Sequence, residues 1–208
     1  MFGIDHYGLF LLSGVLLNLT PGTDTLYILS RTVAQGKKAG ILSVLGISFG
    51  ALFHTLFAAF GLSVVLMQSA LVFNVVKWIG AAYLICLGIQ SIRAKTGPLE
   101  LQRVEPIIGR KIFLQGLLTN VLNPKVALFF LAFLPQFIDP ANSAGMLPFV
   151  LLGLTFFATG TAWCLVLVWA SELMSRKLRR SSFSRYLSKM TGFIFIGLGI
   201  RLLSVSRN

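Results

Sequence analysis

The 208-residue sequence predicts an all-α membrane protein with six transmembrane helices. Three observations carry that reading. Apolar residues make up 56% of the chain and charged ones 12%, at mean hydropathy +0.84, where a soluble domain carries about a quarter charged residues. The apolar residues gather into runs of about 20 residues, the length that crosses a bilayer core, whereas a very apolar soluble helical domain would show runs nearer about 10–14. Basic residues collect in three of the connections between those runs and avoid the others.

Hydropathy places the spans near 8–29, 41–66, 71–92, 112–134, 147–170 and 187–204. The first is expected to stay in the mature protein, because Met1 to His6 has no Lys or Arg and no Ala-x-Ala cleavage site follows the run. The second is long enough to tilt, and Met67-Gln68-Ser69-Ala70 makes a tight turn into the third. Pro135 to Pro148, with Asp139, Pro140, Asn142 and Gly145, connects the fourth and fifth, and the sixth is barely long enough to cross.

Orientation follows from the basic residues. Loop one holds Arg31, Lys37 and Lys38, loop three Arg93, Lys95, Arg103, Arg110 and Lys111, and loop five Arg176, Lys177, Arg179, Arg180, Arg185 and Lys189. Loop two has no charge and loop four only Asp139. The three basic loops share one side, which the positive-inside bias makes cytoplasmic, so both termini face outward. Arg201 and Arg207 argue the other way and are outnumbered. Much of the net charge of +12 is therefore a topological signal. With no basic helix or aromatic-basic alternation, nucleic acid is excluded as a partner.

The two halves echo each other. Phe10-Leu11-Leu12-Ser13-Gly14-Val15-Leu16-Leu17-Asn18 resembles Phe113-Leu114-Gln115-Gly116-Leu117-Leu118-Thr119-Asn120, and Pro follows Asn by three or four residues in both. Three spans per half put equivalent spans in opposite directions. The chain then reads as a single transporter domain, 1–208, made of two inverted three-helix repeats, 1–95 and 110–208, joined by a cytoplasmic linker, 96–109.

Two breaks interrupt the spans. In the first, Pro21 lacks an amide hydrogen and Gly22 tolerates unusual dihedrals, so Thr20-Pro21-Gly22-Thr23-Asp24 frees backbone groups inside the membrane. Asp24 lies just beyond, where a reopened helix presents amides to an anion. In the fourth span Pro124 breaks the helix, Asn120 and Asn123 carry amides, and Lys125 puts an ammonium near the middle of the run. A lone lysine there costs at least about 2.5–3.5 kcal/mol. Pairing with Asp24, or with a substrate carboxylate, offsets that cost. A zwitterion needs both signs, and Asp24 with Lys125 provides them; a purely structural ion pair clamping the halves is the competing reading. Asn18, Thr20, Thr23, Asp24, Asn120, Asn123 and Lys125 are the candidate binding residues, with Pro21, Gly22 and Pro124 as the breaks.

Other residues read more simply. Gly46 and Gly50 form a small-xxx-small face, Gly36 and Gly40 precede it, and Gly192, Gly197 and Gly199 thin one side of the sixth span. His54 lies one turn beyond Gly50 and is a candidate proton relay, or equally an interhelical hydrogen-bonding residue. Lys77 and Glu172 read as interface anchors, as do Trp78 and Trp169, while Trp163 sits deeper. Cys86 and Cys164 are single cysteines inside apolar runs, with no metal or redox spacing. No cofactor motif, nucleophile or general-base pair is present, so the chain reads as a non-enzyme, and without a Gly-rich phosphate loop it does not use ATP itself.

Three segments resemble the LysE/RhtB family of bacterial amino acid exporters. The first runs from Leu19-Thr20-Pro21-Gly22-Thr23-Asp24-Thr25-Leu26 through Ser30-Arg31 and Gln35-Gly36-Lys37-Lys38-Ala39-Gly40 to Gly46 and Gly50. The second is Trp78-Ile79-Gly80-Ala81-Ala82-Tyr83-Leu84-Ile85-Cys86-Leu87-Gly88. The third joins Phe113-x-x-Gly116 to Asn120, Asn123-Pro124-Lys125, Phe129-Phe130 and Pro135-Gln136-Phe137. The resemblance implies a six-span inner-membrane protein that expels small amino acids or derivatives such as threonine, homoserine or leucine, driven by protons, with homodimers for some members. The family's first motif reads Pro-Gly-Pro before Asn or Asp; here Thr23 replaces the second proline and Asp24 keeps the acidic form, which is expected to relax the kink and add a hydroxyl.

The expected function is therefore export of a small amino acid across the bacterial inner membrane by proton-driven alternating access. Carriage of another metabolite or a cation, or a scaffold role without transport, are the alternatives. Asp24 has three roles open to it: holding the substrate ammonium, carrying a proton, or pairing with Lys125.

Overall fold

The computed structural model describes residues 3–62, 70–93, 105–139, 144–171, 173 and 181–204. Their order is α1 (Tyr7–Leu19), α2 (Thr23–Gln35), α3 (Lys37–Phe57) with a π turn Ala58–Leu62, α4 (Ala70–Arg93), α5 (Gly109–Val121), and α6 (Pro124–Leu128). A π turn Phe129–Phe133 and a 3-10 turn Leu134–Phe137 prolong α6, and α7 (Leu147–Trp169) and α8 (Ser181–Ser204) complete the set. The expected turn residues 67–69, the linker residues 96–104, Lys95, Pro140, Asn142, Glu172, the basic residues 176–180 and Arg207 lie outside the described residues, as do the side chains of Lys77, Arg185 and Arg201.

The chain is an all-α membrane protein with broken helices. Lys37–Gly61 and Leu147–Trp169 are each long and apolar enough to cross a bilayer, and α5 with the continuation of α6 to Phe137 makes a third such path, bent by 46°. Phe49, Phe53, Phe57 and Phe60 form a stripe along α3 and its π turn, each 54% exposed or more. Such a stripe of large apolar side chains suits lipid and would be a liability in water. The sequence placed the fourth span at 112–134; the helix starts at Gly109 and runs, broken, to Phe137. Pro135 belongs to that last 3-10 turn and not to the loop expected there.

α3 packs on α2, α5 and α7, while α4 and α8 pair with each other. Glycine sets these distances. A methyl on Gly46 would collide with the Phe113 carbonyl and sit 2.9 Å from the Leu117 nitrogen, and one on Gly116 would sit 2.9 Å from the Ser43 carbonyl. Gly88 of α4 and Gly192 of α8 are reciprocal, since a methyl on either would come within 2.6 Å of the other's carbonyl. Gly199 packs on Ala81 and Ile85, but Gly197 has open space around it, so only part of the expected thinning of the sixth span serves packing. Gly36, at φ 82, makes the turn between α2 and α3 in a backbone region that side chains disfavour.

Two apolar clusters divide the bundle along α7. One gathers Phe10, Phe129, Phe130, Phe133, Phe137, Phe149 and Phe156 with Leu17 and Val126. The other gathers Ile28, Leu29, Val44, Ile47, Cys164, Leu167 and Val168. Beside the first cluster the start of the chain is pinned to the end of the fourth path, by Asp5 N–H on the Phe137 carbonyl (2.8 Å) and Asp139 N–H on the Gly3 carbonyl (3.0 Å).

Near the opposite end lies Arg31, read from sequence only as a topological charge. It is 6% exposed. Its guanidinium donates to Gln35 Oε1 (3.0 Å), the Glu105 carbonyl (2.8 Å) and Gln115 Oε1 (3.0 Å), and stacks over Tyr27. Gln35 adds a bond to the Ile107 carbonyl (2.9 Å). Five fixed donors on a planar group suit this bridging of carbonyls and amides. Arg31 thus fastens α2 to the segment leading into α5.

Gly46→Ala forces α3 and α5 apart and should cost about 1–3 kcal/mol, as overpacking does. Thermal unfolding of the purified protein in detergent should show the loss, with Gly197→Ala, which meets open space, close to wild type.

Candidate functional site

Each break is built by residues that cannot continue a helix. α1 ends at Leu19; Thr20 turns extended, and its N–H and hydroxyl fold back on the last turn, the hydroxyl reaching the Leu16 carbonyl at 2.8 Å. Pro21 has no N–H to offer, and extended Gly22 precedes α2 without any side-chain cap. At the second break α5 ends at Val121, and Asn123 restarts the helix by accepting the Lys125 N–H on its side-chain oxygen (3.0 Å) with Pro124 in the first position. This is a conventional N-cap, with proline where its missing N–H costs nothing. Thr23 takes the equivalent first position of α2. Thr23 serves in that position because the first N–H groups of a helix have no intrahelical acceptor to lose.

The breaks complete each other. Lys125 Nζ donates to the Leu17 carbonyl (2.7 Å) and the Thr20 carbonyl (2.9 Å), groups freed by the first break. Asp24 accepts from Asn120 Nδ2 (2.7 Å) and Asn123 Nδ2 (3.0 Å), side chains that flank the second break. Pairing with Asp24 was one of two ways open to Lys125; in the structure no ion-pair contact within 4.0 Å joins the two. Amide and carbonyl dipoles satisfy each charge instead, through charge-assisted hydrogen bonds worth about 1.5–3 kcal/mol each. Gly22 leaves room for the lysine, whose ammonium would lie 3.8 Å from a methyl at that position.

Both charged residues line one cavity of about 50 Å³, together with Asn18, Thr20, Gly22, Asn120 and Asn123. It has space for a few water molecules. The remaining wall comes from α3 (Ile47, Ser48, Ala51) and α7 (Phe156, Phe157, Gly160, Thr161, Trp163, Cys164), and an apolar cluster lies to either side. Three buried polar atoms of the lining residues have no hydrogen-bond partner: Asn18 Nδ2, Asn120 Oδ1 and Trp163 Nε1. The Asn18 amide lies against Gly160 of α7. The second belongs beside Asp24, which its own amide nitrogen contacts. The cavity is therefore lined by one anionic and one cationic side chain together with unpartnered amide and indole atoms.

Thr23 stands apart from the cavity. It is exposed in a shallow groove with Tyr27, Leu118, Leu122 and Pro124, and its hydroxyl meets Asp24 only at 3.5 Å, so the hydroxyl expected to enrich the site lies outside it. Pro21 and Pro124 shape the backbone without lining the cavity. His54 is likewise outside. It is buried, stacks on Phe130 with centroids 5.6 Å apart, and donates Nε2–H to the Asn120 carbonyl (3.2 Å), a carbonyl made available by the end of α5. That contact carries the interhelical reading of His54, one residue away from the group that holds Asp24.

Sequence reading passed over the α3 and α7 side of the site. Gly50 receives the Asn120 side chain, with Oδ1 2.6 Å from where a methyl would stand, and Gly160 receives Asn18 at 3.4 Å. Ser48 and Thr161 hydrogen bond across the bundle at 2.7 Å. The available signal was the small and polar run Thr159-Gly160-Thr161 beside Trp163 in the middle of the fifth span.

Asn123→Ala removes both the cap of α6 and a donor to Asp24, and should cost about 2–4 kcal/mol from a cap of about 1 and a charged bond of about 1.5–3. Asn123→Asp keeps a capping oxygen but sets a second carboxylate against Asp24, so unfolding in detergent should show it no more stable than the alanine variant.

The LysE type translocator family matches residues 15–206. An uncharacterized membrane protein of Bacillus subtilis is 34% identical over 192 residues, 88% of this chain and 91% of that protein. An uncharacterized membrane protein of Vibrio cholerae is 32% identical over 197 residues, 93% and 94%. The homoserine/homoserine lactone efflux protein of Salmonella typhimurium is 29% identical over 196 residues, 94% of each. No solved structure matches. With nearly its whole length matched and its two breaks in place, the chain belongs to the LysE type translocator family.

Proposed function

We infer that the protein exports a small zwitterionic amino acid or close derivative across the bacterial inner membrane by alternating access. One observation carries this reading: Asp24 and Lys125 line the same cavity with no ion-pair contact between them, and three polar atoms of its lining have no hydrogen-bond partner. A substrate ammonium would take Asp24 and Asn120 Oδ1, and its carboxylate would take Lys125 and Asn18 Nδ2. The homoserine/homoserine lactone efflux protein among the relatives supports this class of cargo. A scaffold would be better served by a sealed ion pair with no space beside it.

In this reading six crossings are formed by α1 with α2, α3 with its π turn, α4, α5 with α6, α7 and α8, and both termini face the periplasm. Residues 1–95 and 110–208 are the inverted repeats within one transporter domain, with 96–109 as the cytoplasmic linker. Paired details support it. α1 and α5 are each 13 residues long with Asn in the penultimate place, and each Asn seats on a glycine of the other half, Asn18 on Gly160 and Asn120 on Gly50. On such a scaffold Asp24 and Lys125 hold equivalent positions with opposite charge. The two apolar clusters then act as seals on either side of the site, and the cavity, sized for water, is the occluded form. Opening one seal at a time would admit and release the cargo.

Coupling to protons is assigned to Asp24, which can exchange its amide donors for a proton when the halves part. Purified protein in liposomes should move labelled amino acids when a pH gradient is imposed; failure across a broad panel would contradict export. Asp24→Asn should abolish the gradient-driven component and leave folding intact, because an amide can still accept from Asn120 or Asn123. Normal pH-driven efflux by that variant would remove Asp24 as the proton carrier.

A further inference from the structure

Six hydroxyls of the bundle share one arrangement, and Ser48 and Thr161 in the cavity wall depart from it. Thr32, Ser43, Thr55, Thr119, Thr155 and Thr159 each donate to the carbonyl one turn back in their own helix, at 2.6–2.9 Å. This is how a membrane helix silences a hydroxyl. Ser48 and Thr161 instead turn away from α3 and α7 and bond to each other at 2.7 Å, in the wall of the cavity. One O–H of the pair is used in that bond and the other is left over, along with unused lone pairs. Trp163, also in the wall, has an indole N–H that is buried and unpartnered. A buried donor without an acceptor is costly and rare in native proteins, and calls for an explanation.

These groups are uncharged and sit on α3 and α7, whereas the charged poles sit on the broken helices. Resting on the efflux reading, we propose that Ser48, Thr161 and Trp163 form the subsite that reads the cargo's side chain, favouring a short one with a hydrogen-bonding group. A side-chain hydroxyl can accept from the spare O–H or the indole N–H and donate to a hydroxyl lone pair. An isosteric methyl can do neither and leaves the donors stranded, which is the kind of site that discriminates strongly. Gly160 sets the length limit. A methyl there would meet the Asn18 amide at 3.4 Å or beyond, ordinary contact, so it fits without displacing the fold and takes space from the cavity. Gly50, its counterpart, has no such latitude, because a methyl would come 2.6 Å from the Asn120 oxygen.

The test is competition between threonine and valine, which share a shape and differ by a hydroxyl, for transport by the full chain in liposomes. Wild type should favour threonine by about tenfold or more, the discrimination one hydrogen bond can give. Ser48→Ala with Thr161→Val should bring the ratio toward unity while valine is still carried; Thr161→Val alone, nearly isosteric, should move it the same way if the double variant folds poorly. Trp163→Phe should lower the ratio without a change of charge. Gly160→Ala should reduce transport of longer hydroxyl side chains several-fold more than that of serine. Equal use of threonine and valine by wild type, or an unchanged ratio in the variants, would overturn the subsite and leave export standing. Wild type that carries no amino acid would overturn both.

Discussion

The structure depends on a reciprocal exchange between two broken helices. A break inside a membrane frees carbonyls and amides that lipid cannot satisfy. Here each break is completed by side chains of the other. The lysine after the second break caps the carbonyls left by the first, and the asparagines around the second hold the aspartate after the first. The arrangement offsets the cost of two charges inside a membrane, about 2.5–3.5 kcal/mol apiece on insertion scales, without making them partners. Both charges line the cavity between the helices, with no ion-pair contact between them.

Around that exchange the other contacts fall into place. Gly46 and Gly116 bring α3 against α5, and Gly50 gives Asn120 the room to reach Asp24. His54 holds the Asn120 carbonyl from behind, stacked on Phe130. Beyond the site on one side lies a cluster built largely from phenylalanines; on the other, an aliphatic cluster, with Arg31 fastening α2 to the approach of α5. The aromatic side includes two π turns, Ala58–Leu62 and Phe129–Phe133, packed near each other. Such turns gather at functional positions in helices. In the proposed cycle the seals differ in chemistry and need not open by the same motion.

Much of this was legible in the sequence, and the limits have physical causes. Pro21-Gly22 and Asn123-Pro124 announced the breaks because proline and glycine act through the backbone, whatever surrounds them. Opposite charges in two apolar runs announced a shared site. Their partners could not be read, since a charge beside a broken helix can choose between a countercharge and freed dipoles, and only three-dimensional distance decides. Arg31 looked like one more positive-inside residue because its acceptors, the Glu105 carbonyl and Gln115, are remote in sequence. Thr23 looked like part of the site by adjacency to Asp24, but one residue on a helix turns the side chain by about 100° and takes it to the outer groove. Ser48 gave no local sign, since a membrane helix normally absorbs such a hydroxyl, and Thr161 gave only that of the small and polar run around Gly160.

The central claim is that the unpaired charges are poles for a zwitterion, and it is tested most directly by crossing charge-deleted ligands with charge-deleted variants. Calorimetric binding to the purified protein would compare an amino acid that it transports, the same molecule without its carboxylate, and the same molecule without its ammonium. In wild type the intact zwitterion should bind more tightly than either truncated form. Lys125→Met should lose the preference for the carboxylate and keep that for the ammonium, and Asp24→Asn should do the reverse. If both variants weaken all three ligands by the same factor, the charges are structural and the substrate binds elsewhere.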